Sequence, residues 1–437
     1  MRRFPAEFVW GAATSAYQIE GAVDEDGRGP SIWDTFVATP GNIANGETGA
    51  PGADHYHLWE TDVELMASLG LRSYRFSVAW PRIQPTGAGA PLRRGLDFYR
   101  RLVDALRERD IEPMITLFHW DLPQALQDQG GWENRDVAYR FADYAQIMFD
   151  ALDVRDWLTI NEPKTVVDAG YRSGVHAPGF NDDSRAFVAL HHLLLGHGLA
   201  VQALRAGGGD RRIGPALNLS PIYPADDDPA TAQAVRHVDG LENRLYLDPV
   251  FGRGYPADMM AWIAERGPLP ERIVDGDLTT IGTPVDLLGV QYYNPLYMRA
   301  DNEREFRHTT SQAWWQEIYP EGLYDILQRL TRDYPRVPLV ITENGMPAPD
   351  SPGPDGQVHD PARVEFLRGH LTALHRAVQE GVNVTAYYVW SLLDNFEWAE
   401  GYAQRWGIVH VDHPSMRRTL KDSALWYQGL IRDGVLE

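Results

Sequence analysis

Short apolar runs recur along the chain, and longer stretches with helical periodicity separate them. Apolar runs bounded by polar turns are typical of strands buried on both faces. The predicted strands are Phe8–Ala13, Arg72–Val78, Pro113–Phe118, Val154–Ile160, Ile213–Asn218, Asp286–Tyr292, Val337–Thr342 and Val384–Val389. The stretches between them predict helices over His57–Leu69, Leu96–Glu108, Val137–Leu152, Phe187–Ala206, Leu323–Arg332 and Ala362–Glu380.

Eight strands that alternate with helices predict an α/β fold, a closed (β/α)8 or TIM barrel. An open doubly wound sheet is the alternative, but the first predicted strand is not followed by the G-x-G-x-x-G turn usual there. The turn-rich stretches are short and read as loops. They are Thr39–Gly52, Gly207–Asp210, Ala225–Pro229 and Pro347–Gly356. We therefore expect residues 1–437 to form a single barrel domain, with its active site at the C-terminal ends of the strands.

Polar and aromatic side chains concentrate where the predicted strands end, and in a barrel these ends share one face. Glu162 follows the fourth strand and Glu343 the seventh. The other polar candidates are Gln18, Arg75, His119, Asn161, Tyr293 and Glu397. The tryptophan candidates are Trp120, Trp390, Trp398 and Trp406.

Two carboxyl groups that converge on one pocket can cleave a glycosidic bond, one as acid and one as nucleophile. One must be protonated and the other ionised at the same pH, so their surroundings must separate their pKa values. Arg75 beside Glu343 would keep that group ionised, and Tyr293 would add a hydrogen bond. Glu162, without a close cation, would keep its proton longer. The amides, imidazole and tryptophan rings suit the hydroxyls and C–H faces of a sugar.

Composition narrows the classes of protein to consider. Hydrophobic content of 44% and charged content of 23% are typical of a globular protein. The net charge of −21 argues against nucleic acid as a partner, because phosphate binding needs a basic patch. The chain has no cysteine and only two lysines, Lys164 and Lys421. Without a signal-like or membrane-spanning apolar run, we expect a cytoplasmic protein and no membrane partner.

Other chemistries fit the sequence less well. His191, His192 and His197 are five and six positions apart, so they do not form the i, i+4 pair of a helical metal site. No G-x-S-x-G elbow supports a serine nucleophile, and Gly207-Gly-Gly209 lacks the residues of a phosphate loop. We therefore expect neither a metal nor a cofactor.

Several longer strings carry a family resemblance, in order along nearly the whole chain. They include Phe8-Val-Trp-Gly-Ala-Ala-Thr-Ser-Ala-Tyr-Gln-Ile-Glu-Gly21, Thr159-Ile-Asn-Glu-Pro163, Ile341-Thr-Glu-Asn-Gly345, Trp390-Ser-Leu-Leu-Asp-Asn-Phe-Glu-Trp-Ala-Glu-Gly-Tyr402 and Trp406-Gly-Ile-Val-His-Val-Asp412. The chain resembles the family 1 glycoside hydrolases, bacterial β-glucosidases above all.

The resemblance implies a retaining mechanism, with Glu162 as acid/base and Glu343 as nucleophile. It implies supporting roles for Arg75, Asn161 and Tyr293. The residues that would bind the non-reducing sugar are Gln18, His119, Asn161, Glu397 and Trp398, with Trp120, Trp390 and Trp406 as further rings. Members that cleave phosphorylated sugars replace the Glu397-Trp398 pair, so an unphosphorylated sugar is expected here.

Three positions depart from the family pattern. Gln291 stands where an asparagine is usual, so that its amide is one methylene longer. Gln316 stands at a tryptophan position, which leaves Trp315 as the candidate ring. Lys164 replaces a frequent tryptophan after Asn-Glu-Pro and would favour acidic or polar leaving groups.

The expected function is hydrolysis of terminal β-glucosyl residues of oligosaccharides and aryl or alkyl glucosides. The expected partners are therefore small-molecule β-glycosides and oligosaccharides. A β-galactosidase, β-fucosidase or transglycosylase on the same site is the alternative. An inactive sugar-binding protein is a further alternative, against which the presence of both Glu162 and Glu343 argues. The sequence leaves the oligomeric state open.

Overall fold

Eight parallel strands close into a barrel in the computed structural model, which describes residues 2–436 apart from the side chain of Pro270. The strands are β1 Val9–Ala13, β2 Ser73–Ser77, β3 Glu112–Phe118, β4 Asp156–Asn161, β5 Arg212–Asn218, β6 Leu288–Gln291, β7 Leu339–Asn344 and β8 Val384–Trp390. The last strand pairs with the first, with Tyr388 opposite Gly11, and this closes the barrel. The predicted (β/α)8 fold is confirmed.

Seven long helices surround the barrel. They are α1 His55–Ser68, α2 Arg93–Arg107, α3 Asp136–Ala151, α4 Asp183–Ala206, α5 Pro320–Asp333, α6 Pro361–Gln379 and α7 Asp422–Asp433. Each buries an apolar stripe against the strands. In α2, for example, Leu96, Tyr99, Val103 and Leu106 are buried at the three- and four-residue spacing of one helix face. The first six match the predicted helices to within a few residues, whereas α7 was not predicted.

Helix α4 is apolar on nearly all sides. It is the one helix among the described residues that is long and apolar enough to cross a membrane. However, 83% of its most apolar stretch is buried in the protein. It packs against α3 and against the helix Asp277–Ile281. A helix in the core of a large protein can be as apolar as a membrane span, because protein covers it on all sides.

The connections after β5 and β6 carry most of the additional structure. The short helices there are Pro229–Asp239, Leu245–Val250, Ala257–Ala264, Leu269–Arg272 and Asp277–Ile281. A small sheet combines Ile222–Pro224, Leu296–Met298 and Arg304–Glu305. Elsewhere lie a hairpin, Val409–Asp412 with Arg417–Leu420, and a terminal pair, Arg2–Arg3 with Val435–Leu436. Other short helical segments are Ala16–Ile19, Ile32–Val37, Ala44–Gly46, Trp80–Ile83, Gln124–Gln127, Gly131–Glu133, Pro163–Val167, Asp168–Arg172, Gly240–Arg244 and Trp398–Glu400.

A buried cluster of charges anchors the loops that follow β7 and β8. Lys421, at the start of α7, places its Nζ 2.9 Å from Asp350 Oδ1 and 2.8 Å from Asp394 Oδ1. Arg363 on α6 donates to Asp350 Oδ2 at 2.6 Å. All four side chains are at most 2% exposed. Charges so deeply buried are stable only when paired, so the cluster fixes both loops to the helical layer.

Candidate active site

A cavity of about 770 Å³ opens at the C-terminal ends of the barrel strands. It brings together residues from distant parts of the chain, as expected for this face of a barrel. The sequence-predicted residues on its wall are His119, Trp120, Asn161, Glu162, Tyr293, Trp315, Glu343, Trp390, Glu397, Trp398 and Trp406. Gln18, Arg75 and Gln291 are fully buried and lie behind this wall, in contact with residues that line it.

Glu343 is the second-last residue of β7, and its carboxylate accepts hydrogen bonds from two donors. Arg75 on β2 donates from Nη1 to Oε1 at 2.6 Å, and the Tyr293 phenol donates to Oε2 at 2.6 Å. The next residue, Asn344, donates to the Tyr292 carbonyl at 2.8 Å and so ties β7 to the end of β6. Each carboxylate oxygen therefore has one fixed donor, which leaves the remaining lone pairs for a substrate.

Glu162 lies directly after β4, where the chain turns into the helix Pro163–Val167. Proline at the first helical position starts this helix at once. The backbone N–H of Glu162 donates to the Ala216 carbonyl at 2.8 Å, and the Thr165 hydroxyl donates to its Oε2 at 2.7 Å. The acid is thus oriented by the strand behind it and by the helix in front of it.

The surroundings of the two carboxyl groups differ in charge. Burial raises the pKa of Glu343, while Arg75 and the Tyr293 hydrogen bond oppose the rise. Burial and the negative charge of Glu343 raise the pKa of Glu162 to about 7, while Thr165 and Lys164 oppose it. Only one of the two has a guanidinium against it, so Glu343 ionises first and Glu162 keeps its proton near neutral pH.

Lys164 is a cation close to Glu162, so the expectation that Glu162 has no cation nearby is wrong. Its ammonium group binds Glu242 Oε2 at 2.5 Å, and both side chains are less than one-fifth exposed on the cavity wall. Glu242 lies 78 positions further along the chain. The paired charge lowers the pKa of Glu162 but does not cancel the effect of burial.

The Asn161 side-chain amide links three other predicted residues: Arg75, Gln291 and His119. Its Oδ1 accepts from Arg75 Nη2 and, at 2.7 Å, from Gln291 Nε2. Its Nδ2 then donates to His119 Nε2 at 3.0 Å. Burial and the charge of Arg75 hold the pKa of His119 well below its usual range, so the imidazole is neutral with its proton on Nδ1. The longer Gln291 side chain thus binds Asn161 rather than reaching the cavity.

Gln18 positions Glu397 on the cavity wall. Its Nε2 lies 3.3 Å from Glu397 Oε2 and 3.0 Å from the Phe396 carbonyl, and Ser15 fixes its Oε1. Burial, together with the charges of Glu343 and Glu162, raises the pKa of Glu397 to about 8. Glu397 is therefore able both to donate and to accept hydrogen bonds at neutral pH.

Aromatic rings form the rest of the wall in two groups. Trp398 packs against Trp120, with ring centroids 4.5 Å apart. In the second group, Trp406 stacks on Trp315 with ring centroids 6.2 Å apart and meets the edge of the Tyr293 ring at 5.7 Å. The indole N–H of Trp406 is buried without a partner among the described residues. Rings with spare donors suit a ligand that has both flat apolar faces and hydroxyl groups.

Three of these residues have backbone conformations that are unusual for non-glycine residues. The φ angles are +80° at Trp120, +43° at Glu162 and +49° at Trp398. Such conformations cost about 1–3 kcal/mol each and persist where surrounding structure enforces them, often at functional sites. Seven other non-glycine residues among those described also have a positive φ, so strained backbone is present at the cavity but is not confined to it.

The sequence profile described as glycosyl hydrolase family 1 matches residues 1–435. The chain belongs to glycosyl hydrolase family 1. It is 45% identical to β-glucosidase A of Acetivibrio thermocellus, over 98% of each chain. It is 48% identical to the thermostable β-glucosidase B of Thermobispora bispora, over 98% of this chain and 90% of that one.

A solved family 1 structure superposes on the whole fold. The β-glucosidase of Thermotoga maritima, in complex with glucoimidazole, has a TM-score of 0.96 and 41% identity, with 100% of both chains covered. Closed parallel barrels and a retaining mechanism are general in family 1. The chain therefore shares the family fold over its full length.

Gln316, at the family's tryptophan position, is fully buried and donates to the Gly345 carbonyl at 2.8 Å. It supports the loop after β7 instead of the cavity wall. Trp315 takes the place of a ring on that wall, as the stacking on Trp406 indicates. Its backbone carbonyl is bound by Arg304 Nη1 at 2.8 Å.

The sequence argument missed several residues on the wall of this family 1 cavity. Thr165 follows Glu162 by three positions, and that helical spacing is a signal for the contact. The partnership of Lys164 with Glu242 has no such signal, because Glu242 lies in the long connection after β5. Arg304 and Trp314 also line the cavity and come from the connection after β6.

The histidines of α4 have partners within the protein. His191 Nε2 lies 2.9 Å from Asp277 Oδ2, and His192 Nδ1 lies 2.9 Å from the Trp132 carbonyl. His197 Nδ1 lies 2.7 Å from Thr159 Oγ1. Within residues 2–436 no three acidic or imidazole side chains are grouped as metal ligands. These histidines therefore join α4 to its neighbours.

Proposed function

We propose that the protein is a retaining β-glucosidase in which Glu343 is the nucleophile and Glu162 the acid/base. One observation carries the proposal: two buried carboxyl groups share a cavity but differ in electrostatic surroundings. Arg75 and Tyr293 bind both oxygens of Glu343, whereas burial raises the pKa of Glu162 to about 7. These are the ionised and protonated partners that glycoside cleavage requires.

In the first step, Glu343 attacks the anomeric carbon and Glu162 gives its proton to the departing oxygen. The product is a glycosyl ester on Glu343 and the free aglycone alcohol. For a retaining enzyme we expect the two carboxyl groups ~5–5.5 Å apart. Tyr293 and Arg75 release part of their hold on Glu343 as its charge disappears.

In the second step, Glu162 acts as a base. Because Glu343 is now an uncharged ester, the repulsion that raised the pKa of Glu162 is gone, and Glu162 ionises more readily. It takes a proton from water, the water oxygen attacks the anomeric carbon, and Glu343 leaves as a carboxylate. Two inversions give net retention.

The glycone that the cavity suits is unphosphorylated glucose. Relatives named β-glucosidase and a structural neighbour that binds glucoimidazole support glucose. Glu397, positioned by Gln18, lies close enough to Glu343 to feel its charge, and that ionised carboxylate would repel a dianionic phosphate bound beside it. His119 and the unpartnered N–H of Trp406 offer donors to sugar hydroxyls.

On the leaving-group side, we propose that Lys164 and Glu242 form a polar wall. Their ion pair lies next to the acid/base, where the family often has a tryptophan. A polar wall favours hydroxyl-rich or acidic leaving groups over flat apolar ones. Free small-molecule β-glycosides and oligosaccharides are the proposed substrates.

We also propose that residues 1–437 act as one catalytic domain in the cytoplasm. The family match from residue 1 to residue 435 supports the first part. A cysteine-free chain needs no oxidising compartment, which supports the second. Proteolysis of the folded protein and fractionation of cells would test the two statements.

The decisive test uses variants of the two glutamates. Glu343→Gly should abolish hydrolysis of aryl β-glucosides, and azide should restore turnover of an activated glycosyl donor as the glycosyl azide. Glu162→Ala should slow substrates with poor leaving groups far more than 2,4-dinitrophenyl glucoside, since a good leaving group needs no proton. Equal slowing of both substrates would contradict the acid role.

The stereochemical outcome and the glycone preference need separate measurements. Proton NMR of early product should show β-glucose before mutarotation. A panel of aryl β-glucosides, β-galactosides and β-fucosides, with cello-oligosaccharides, should show the highest kcat/KM for glucosides. An α-configured first product would refute retention.

A further inference from the structure

An exposed tryptophan stands at the mouth of the cavity. Trp314 lines the cavity, yet 70% of its surface is open to solvent, the highest value among the large hydrophobic residues of the described chain. A tryptophan so exposed leaves a broad apolar face in water at a cost in free energy, and such faces commonly mark binding sites.

The ring of Trp314 does not stand alone. Its centroid is 6.4 Å from that of Phe306, which is itself 44% exposed. The guanidinium of Arg304 lies over the Phe306 ring, 4.2 Å from its centroid. Arg304 is in turn fixed by Glu317 at 2.9 Å and by the Trp315 carbonyl at 2.8 Å. We call the rings of Trp314 and Phe306 the platform. The Arg304 side chain, which two hydrogen bonds hold in place, packs against the Phe306 ring and supports this platform.

Exposure rises steadily from the carboxyl pair to this platform. Glu343 and Glu162 are 3% and 5% exposed, Trp315 is half-buried, and Trp314 is the outermost. The three aromatic residues Trp406, Trp315 and Trp314 thus lead from the reacting centre to the rim. With about 770 Å³, the cavity lies in the range that encloses a drug-sized ligand and exceeds what one monosaccharide fills.

We propose that Trp314, supported by Phe306, is an outer aglycone subsite that stacks the second sugar ring beyond the cleaved bond of a β-linked oligosaccharide. The inference rests on the proposed function and extends it from the terminal glucose to the length of the substrate. Sugar rings present flat C–H faces to aromatic residues and hydroxyls to polar neighbours. Polar residues that line the same cavity, and that an alkyl chain would not use, are Asn42, Glu242, Arg304, Glu400 and Gln404.

The test compares how two variants handle substrates of different length. In Trp314→Ala, the ratio of kcat/KM for cellotriose to that for cellobiose should fall about fivefold, the effect of losing one stacking contact. Trp314→Phe keeps a ring and should recover most of the ratio. The loss should be in KM rather than kcat, since the contact is remote from the reacting bond.

Tyr139→Ala is the matched control. Tyr139 is an exposed aromatic residue on α3, 45% open to solvent and absent from the cavity wall. Removing it should leave the ratio of cellotriose to cellobiose as it is in the unaltered protein. A change of equal size in this variant would point to a general effect of surface aromatic residues and would overturn the proposal.

Other outcomes are equally decisive. An unchanged ratio in Trp314→Ala, or equal losses for cellobiose and cellotriose, would overturn an outer subsite. A loss confined to octyl β-glucoside would assign the platform to alkyl chains instead. If the unaltered protein releases no glucose from 4-nitrophenyl β-glucoside, the proposed function itself is wrong, a result that is distinct from any effect of Trp314.

Discussion

The Thr165 hydroxyl donates a 2.7 Å hydrogen bond to Oε2 of Glu162. The two residues are three positions apart, on the strand end and the first helical turn that follow β4. The bond has two physical effects: it fixes one oxygen of the carboxyl group, and it stabilises the ionised form against burial. The direction of proton transfer and the pH range of the acid thus both depend on this threonine.

Replacing Thr165 by valine removes the hydroxyl and keeps the shape. The pKa of Glu162 should rise above about 7 because a contact that lowers it is lost. The alkaline limb of kcat/KM should then move to higher pH, and kcat for phenyl glucoside should fall about three- to tenfold as the acid loses its orientation. Thr165→Ser should retain both properties. A pH profile identical to that of the unaltered protein would contradict the assignment.

The pH dependence of the unaltered protein should be bell-shaped. Glu162 must carry a proton, so kcat/KM should fall as the pH rises through about 7. Glu343 must be ionised, so activity should also fall in acid. In Glu343→Gln the negative charge is absent, and the pKa of Glu162 should drop. Carbon-13 NMR of labelled glutamate would detect that drop, and a constant value would rule out the coupling.

Lys164 should affect both the acid and the leaving group. In Lys164→Met the pKa of Glu162 should rise, because a cation that lowers it is gone, and the alkaline limb should shift upward. The preference for cellobiose over aryl glucosides should weaken about two- to threefold as the wall becomes apolar. Glu242→Gln leaves the lysine and removes its partner. That variant should shift the limb downward, and an upward shift would count against this electrostatic account.

The buried charges behind the β7 and β8 loops make a prediction about stability. Lys421→Met would leave Asp350 and Asp394 in the interior without their shared cation. The free energy of unfolding should fall by about 3–5 kcal/mol, as measured by urea denaturation. Arg432→Met removes a salt bridge that is more than half exposed and should cost little. Equal effects of the two variants would contradict a role for burial.

Much of the fold could be predicted because the strands of a parallel barrel produce a simple pattern of apolar runs in the sequence. The strands are buried on both faces and most of them are therefore largely apolar, and helices alternate with them along the chain. Glu162 and Glu343 were recognisable because each ends such a strand. The small sheet that contains Ile222–Pro224 could not be predicted, since its strands are short and paired across long connections.

Site residues at the ends of the strands could be predicted from the sequence, whereas site residues in the long connections between strands could not. Position along a strand puts Asn161 and Tyr293 on the same face of the barrel, whereas Glu242 comes from an irregular connection whose path only packing decides. Gln291 shows a further limit of prediction: the sequence identifies the residue, but it does not show which side chain its amide binds. One additional methylene lets its amide reach Asn161, and only coordinates could show that contact.

The two lysines of the chain both point inward, Lys421 into the charge cluster and Lys164 into the cavity beside Glu242. All other strongly basic side chains are arginines, whose guanidinium groups stay protonated and are poor nucleophiles. A reducing sugar in the surrounding solution therefore meets no lysine amine on the outer surface with which to form a Schiff base. Lys164, which a released sugar can meet inside the cavity, is held as an ammonium ion by Glu242, and a protonated amine does not attack an aldehyde.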